Sequence, residues 1–319
     1  MALAPPPALR RQSLHRLLCL LPLGVIGGWV AAHWALLMAG GRELMAADRG
    51  WLLAAVVITG LCWVPICLTR QGTILERLPA GRLFASQVAA GTANHVLPAG
   101  IGAHAVTLRF LTRCGIPLAR SSASLALYSL VEPVARITLL LMLVAAFPDA
   151  LSLEGLAPDG TALAVVFAAL AAVAAVLVAV VRSVPRIRRM VGGFLRVAMT
   201  DARAVHARPS RALALWGGAF AFPALQASVL VTVARAMDVP VPSIDVAIAY
   251  LAASVVAGGI PTPGGIGSVD AALAVALVAA GSPLTLATGA VLGFRIITAW
   301  LPLLPGALVL GVLVRRKVL

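Results

Sequence analysis

The chain has 319 residues, 61% of them hydrophobic and 11% charged, with a mean hydropathy of +1.02. Soluble globular chains carry roughly 25% charged residues and disordered chains are polar, so this composition excludes both. The net charge of +14 does not point to nucleic acid, because the cations, all Arg except Lys317, sit in short connections beside apolar runs.

Apolar runs near 17–40, 51–69, 121–147, 161–181, 212–237 and 286–312 approach or exceed the roughly 20 residues that cross a bilayer. Arg10, Arg11 and Arg16 precede the first, which is longer than the roughly 7–15 apolar residues of a signal peptide and so reads as an uncleaved span. Arg70, Arg77 and Arg82 follow the second, and Arg109, Arg113 and Arg120 precede the third. The 148–160 connection has Asp149, Glu154 and Asp159 but no cation, the 182–211 connection has eight Arg, and 238–245 has only Asp238 and Asp245. Arg315, Arg316 and Lys317 close the chain, while the 41–50 loop is neutral. Cationic connections face the cytoplasm, which predicts six full spans with both termini cytoplasmic. The expected plan is a cytoplasmic segment 1–16, a first membrane repeat 17–147, an external loop 148–160, a second repeat 161–312 and a basic tail 313–319. The second repeat includes the basic cytoplasmic loop 182–211. Within it Arg186, Arg188, Arg189 and Arg196 alternate with Ile187, Met190, Val191, Phe194 and Leu195, which suits either a surface helix on an anionic leaflet or a loop that fixes topology.

Two regions, 84–108 and 246–282, hold pairs of shorter apolar arms broken by Gly and Pro. Arms of 12–16 residues are short for a core of about 30 Å, so re-entrant hairpins are the preferred reading, with thin complete hairpins the alternative that the charge pattern does not separate from it. Their tips match: Pro98-Ala99-Gly100-Ile101-Gly102 aligns with Pro263-Gly264-Gly265-Ile266-Gly267 at an offset of 165 residues. The same offset carries 51–69 into the fifth run and 121–147 onto the sixth. Three spans and one hairpin per half make an odd number of crossings, so the halves would be inverted, as in many transporters with broken helices at their substrate site. The predicted fold is an all-α polytopic membrane protein of two inverted repeats. Asn94, Pro98, Gly100, Gly102, Pro261, Pro263, Gly264, Gly265 and Gly267 form its re-entrant tips. Backbone freed there cannot face lipid and must meet protein or a wet cavity.

Arg109, Glu132, Arg136, Asp270 and Arg295 lie in or beside apolar segments, where a charge costs roughly 2.5–3.5 kcal/mol at the bilayer centre, and are the predicted substrate pathway. Glu132 and Arg136 share a helix face. Asp270 opens the arm after the second tip, where an acid suits a helix N-terminus. Arg295 has no acid nearby in sequence, so a partner must come from elsewhere, with Asp270 and Glu132 as candidates. His95 and His104 flank the first tip as hydrogen-bonding residues. Cys19, Cys62, Cys67 and Cys114 show neither zinc-ligand nor disulfide spacing. With no nucleophile–base signature or metal cluster, neither an enzyme nor a cofactor is expected.

The run Ile260-Pro261-Thr262-Pro263-Gly264-Gly265-Ile266-Gly267-Ser268-Val269-Asp270, with Gly281, Arg295, Trp300-Leu301-Pro302 and Gly306, resembles the lysylphosphatidylglycerol synthase transmembrane family. Asn94-His95-Val96-Leu97-Pro98-Ala99-Gly100-Ile101-Gly102 with Arg109 resembles that family's first motif. One departure is Asp270, where the family usually carries Glu. The resemblance implies a flippase-like domain of the bacterial inner membrane that moves a lipid with a charged head group between leaflets. It does not imply the aminoacyl-transfer chemistry of the separate synthase domain. The expected partners are membrane lipids, an anionic or aminoacylated phospholipid or another amphiphile, together with a lipid-biosynthetic enzyme or a second copy as candidates, and no nucleic acid. A non-transporting scaffold for a lipid or glycan biosynthetic enzyme is the alternative.

Overall fold

A computed structural model describes residues 34–96, 100–148, 185–258, 262, 265 and 267–315. The first span before residue 34, most of the 148–160 connection, the fourth span at 161–181, Pro98, Pro261, Pro263, Gly264 and residues 316–319 lie outside the described residues. The described residues are helical, with no strand among them.

In chain order the helices are α1 (Trp34–Ala46), α2 (Arg49–Leu61), α3 (Trp63–Gly72), α4 (Ala80–Val96), α5 (Ile101–Arg113), α6 (Leu118–Ala146), α7 (Pro185–His206), α8 (Pro209–Ala236), α9 (Ser243–Gly258), α10 (Ser268–Ala279), α11 (Leu284–Arg295) and α12 (Leu301–Arg315). A π-helical turn, Ile296–Trp300, joins α11 to α12. Among the described residues four stretches are long and apolar enough to cross a membrane: Arg49–Gly72, formed by α2 and α3, Leu118–Ala146, Pro209–Ala236 and Leu284–Leu313. They coincide with four of the six predicted spans. The chain is therefore a multi-pass, membrane-embedded helical protein.

Large apolar side chains on these stretches face outward. Leu53, Leu141, Leu213, Leu304 and Leu308 are all exposed, an arrangement that lipid tolerates and water penalises at about 25 cal/mol per Å². The most enclosed stretch is α8, with 50% of its most apolar window buried against 11% for α6. Val229, Leu230 and Val233 of α8 join Leu251 of α9, Leu273 and Leu277 of α10 and Ala287 and Ala290 of α11 in the main core.

Small residues set how close the helices come, as is common between helices in membranes. A Cβ on Gly72 of α3 would lie 2.4 Å from the backbone nitrogen of Leu215 in α8, and one on Gly218 would lie 2.6 Å from the carbonyl oxygen of Pro65. The two backbones are thus in direct contact.

The hairpins are α4 with α5 and α9 with α10, whose arms pack against each other. At about 1.5 Å per residue, arms of 17, 13, 16 and 12 residues each fall short of a core about 30 Å thick. The tips share backbone geometry at matching positions. Gly100 has φ of 72° and Gly265, 165 residues on, has φ of 71°, a left-handed conformation that favours glycine. A Cβ on Gly102 would lie 2.0 Å from the Ala93 carbonyl oxygen, so the first hairpin closes backbone on backbone. The offset also carries Pro133, inside α6, onto Thr298 in the π-helical turn. Proline removes one N–H from the α6 ladder at that register, and π turns often occur at functional sites.

The 182–211 connection is not a plain loop. It contains the 22-residue helix α7, which packs against α6. Arg120 of α6 fixes this end by pairing with Glu76 at 2.6 Å and with Asp201 of α7 at 3.3 Å. Arg211 donates to the carbonyl oxygens of Gln71 and Leu75 at 3.0 and 2.8 Å, binding α8 to the turn after α3.

The contact between α3 and α8 predicts a contrast between adjacent glycines. Gly218→Ala should cost about 1–3 kcal/mol, because backbone must move to admit the methyl group. Gly217→Ala, which faces open space, should be neutral or stabilise by up to about 1 kcal/mol. Thermal unfolding of both variants in detergent, followed by tryptophan fluorescence, measures the difference.

Candidate functional site

The two hairpins and the spans between them surround a cavity of about 690 Å³. Helical periodicity explains which side chains reach it. Trp63, Ile66 and Arg70 of α3 lie three and four positions apart, and Tyr128, Glu132 and Arg136 of α6 recur every fourth residue, each set forming one stripe of its helix. Gln87 and Asn94 come from α4, His104 from α5, Tyr250 from α9 and Arg295 from the end of α11. Gly100 and Gly265 bring both tips to the same space.

Glu132 and Arg136 form an ion pair along α6, through Oε1 and Nη2. Arg295 pairs through Nε with Asp270 Oδ1, which answers the question of its partner. Its Nη2 donates to the Gly265 carbonyl oxygen at 2.8 Å, and the other Asp270 oxygen accepts from the Gly267 backbone N–H at 2.9 Å. One carboxylate and one guanidinium thus bind the second tip, the first turn of α10 and the span α11 together. Asp270 does not itself border the cavity; it stands behind Arg295.

The first tip is held by a histidine. His104 Nδ1 lies 2.7 Å from the Gly100 carbonyl oxygen and its Nε2 lies 3.0 Å from Ser129 Oγ. A carbonyl oxygen only accepts, so Nδ1 carries the proton, and in the neutral ring Nε2 accepts from the serine hydroxyl. His95 Nδ1 likewise donates to the Gly91 carbonyl oxygen at 2.8 Å.

Arg109 is exposed and outside the cavity lining, contrary to the expectation that it lines a pathway. His104 points to the cavity from the same helix, and five residues along an α-helix amount to a rotation of about 140°. Pro98, Pro261, Pro263 and Gly264 fall among the tip residues that are not described.

Sequence reasoning missed Arg70. It follows the apolar run 51–69 and reads as one more cation of a cytoplasmic connection. In the structure α3 continues to Gly72 and Arg70 is 5% exposed, with its guanidinium carbon 3.5 Å from the centre of the Tyr128 ring. The available signal was its register with Trp63 and Ile66. Tyr128 and Tyr250 were missed for a similar reason, since aromatic residues in apolar runs read as packing.

Among the described residues no group of three His, Cys, Asp or Glu is placed to hold a metal. Cys62, Cys67 and Cys114 are free thiols. Burial pushes the Cys114 thiol up, with the Arg82 charge opposing it, so it is a poorer nucleophile than an ordinary cysteine.

The fold and this cavity define a polytopic helical membrane protein with paired charges buried between two glycine-broken hairpins. The family model for the lysylphosphatidylglycerol synthase TM region matches residues 17–306, and the chain belongs to that family. No curated protein matches the chain significantly.

The Asp270–Arg295 pair should be strongly coupled. Asp270→Asn and Arg295→Gln should each destabilise by about 1.5–3 kcal/mol, the range for hydrogen bonds to charged groups. The double substitution should cost less than the sum, because each single change strands the other charge. A double-mutant cycle of unfolding free energies in detergent reads the coupling; additive losses would mean that the pair does not act as a unit.

Proposed function

We propose that the chain is a flippase-like lipid transporter of the bacterial inner membrane, with both termini cytoplasmic. The observation that carries this reading is the cavity itself, in which charged side chains gather between hairpins too short to span a bilayer. Moving a charged head group across hydrocarbon is opposed by its loss of hydration. A cavity lined by Glu132, Arg136 and Arg295 would replace that hydration with fixed charges and hydrogen bonds, while the acyl chains remain in surrounding lipid.

Alternating access would follow from two inverted repeats rocking about a site near the midplane. Three features support that organisation: the matched Gly100 and Gly265 geometry, the pairing of the four span-length stretches at one offset, and the alignment of Pro133 with the π-helical turn. The re-entrant hairpins would open to opposite sides, Arg295 and Asp270 holding one tip and His104 the other. The cargo in this reading is a phospholipid or related amphiphile with a charged head group, and no chemical step is required of the protein.

Lipid scrambling in liposomes tests this proposal, with head-group-labelled lipids and a membrane-impermeant quencher. Wild type should expose inner-leaflet label rapidly, and Asp270→Asn or Arg295→Gln should slow exposure by about tenfold or more, corresponding to about 1.4 kcal/mol, once equal folding and insertion are established. Full protection by wild type across anionic, aminoacylated and neutral lipids would remove the transport reading and favour a scaffold for a biosynthetic enzyme.

A further inference from the structure

The guanidinium groups that border the cavity among the described residues are those of Arg70, Arg136 and Arg295. Glu132 pairs with Arg136 and Asp270 with Arg295, which leaves Arg70 as the cation without a carboxylate in contact. It is also the most buried of the three, at 5% exposure.

Its surroundings fix its position. Nε donates to Gln87 Oε1 at 3.3 Å, and the face of Tyr128 covers the guanidinium carbon at 3.5 Å, a favourable cation–π arrangement. Neither contact neutralises the charge. Nη1 is buried and has no hydrogen-bond partner. A buried charged donor left without an acceptor is costly, so a native structure that keeps one calls for an explanation. The planar fork of a guanidinium matches the geometry of phosphate and carboxylate oxygens.

We propose that Arg70 is the anion-binding residue of the cavity, donating to an oxyanion of the phosphate type. The lipid-transport reading enters only in naming the source, the phosphodiester of a phospholipid head group. Gln87 and Tyr128 act as positioning residues that hold the fork toward the cavity. The Asp270–Arg295 pair fastens neighbouring helices, and the Glu132–Arg136 pair is satisfied within α6.

The test measures binding, so it does not depend on transport. Purified protein in neutral detergent is titrated with short-chain phosphatidylglycerol, short-chain phosphatidylcholine or inorganic phosphate, and thermal stabilisation gives the apparent Kd. Wild type should be stabilised by phosphatidylglycerol, and Arg70→Gln should weaken that binding by about tenfold or more, corresponding to about 1.4 kcal/mol. Arg70→Lys, which keeps the charge but loses the fork, should fall between them. Arg70-dependent stabilisation by inorganic phosphate alone would support the oxyanion site and assign it to a soluble ion. Absence of wild-type stabilisation by either lipid and by phosphate overturns the proposal without any variant, as does unchanged phosphatidylglycerol binding in a folded Arg70→Gln protein. Arg70-dependent binding without scrambling in liposomes would retain this site and dismiss transport.

Discussion

Hydrocarbon offers no hydrogen bonds, and that constraint organises the molecule. Every break in a helix and every charge placed at membrane depth must find its partner inside the protein. The second hairpin shows the consequence. Its tip turns at Gly265 and Gly267, exposing a carbonyl oxygen and an N–H, and Arg295 and Asp270 take these two groups while neutralising each other. The first hairpin reaches the same end with an imidazole, His104, between Gly100 and Ser129.

These two solutions make the two tips unequal. Gly100 and Gly265 share a conformation, but one tip is held by an imidazole and the other by an ion pair. The offset that superimposes the tips sets Arg295 against Leu130, an exposed apolar residue of α6. Charge on α6 is instead carried at Glu132 and Arg136. An ion pair at one tip and an imidazole at the other give the two sides of the cavity different hydrogen-bonding groups.

Close packing of small residues is the counterpart of the cavity. Gly72 and Gly218 bring α3 and α8 into backbone contact, and Gly102 closes the first hairpin. Where helices carry Arg70, Tyr128, Tyr250 and Arg295 instead, the polar ends of long side chains reach into the shared space. Apolar bulk faces both the lipid and the helix cores, and polar side chains gather at the cavity.

Much of this was legible in the chain itself. Four apolar runs became the four span-length stretches because apolar length alone decides whether a helix can cross a bilayer. Glycine and proline marked the two breaks, since only backbone conformation is at stake there. The Glu132–Arg136 pair followed from spacing on one helix. Arg109 and Arg70 could not be sorted from sequence, because the apolar runs bound each of them loosely. Rotation about α5 turns Arg109 out, and the extra turn of α3 carries Arg70 in. The amino-acid sequence determined the membrane class, the span-length helices and the positions of the tips, through local length, hydropathy and backbone freedom. Only the tertiary structure decided that Asp270 meets Arg295, that His104 holds the first tip and that Arg70 lies without a carboxylate in the cavity, because those relations depend on how helices distant in sequence are rotated against one another.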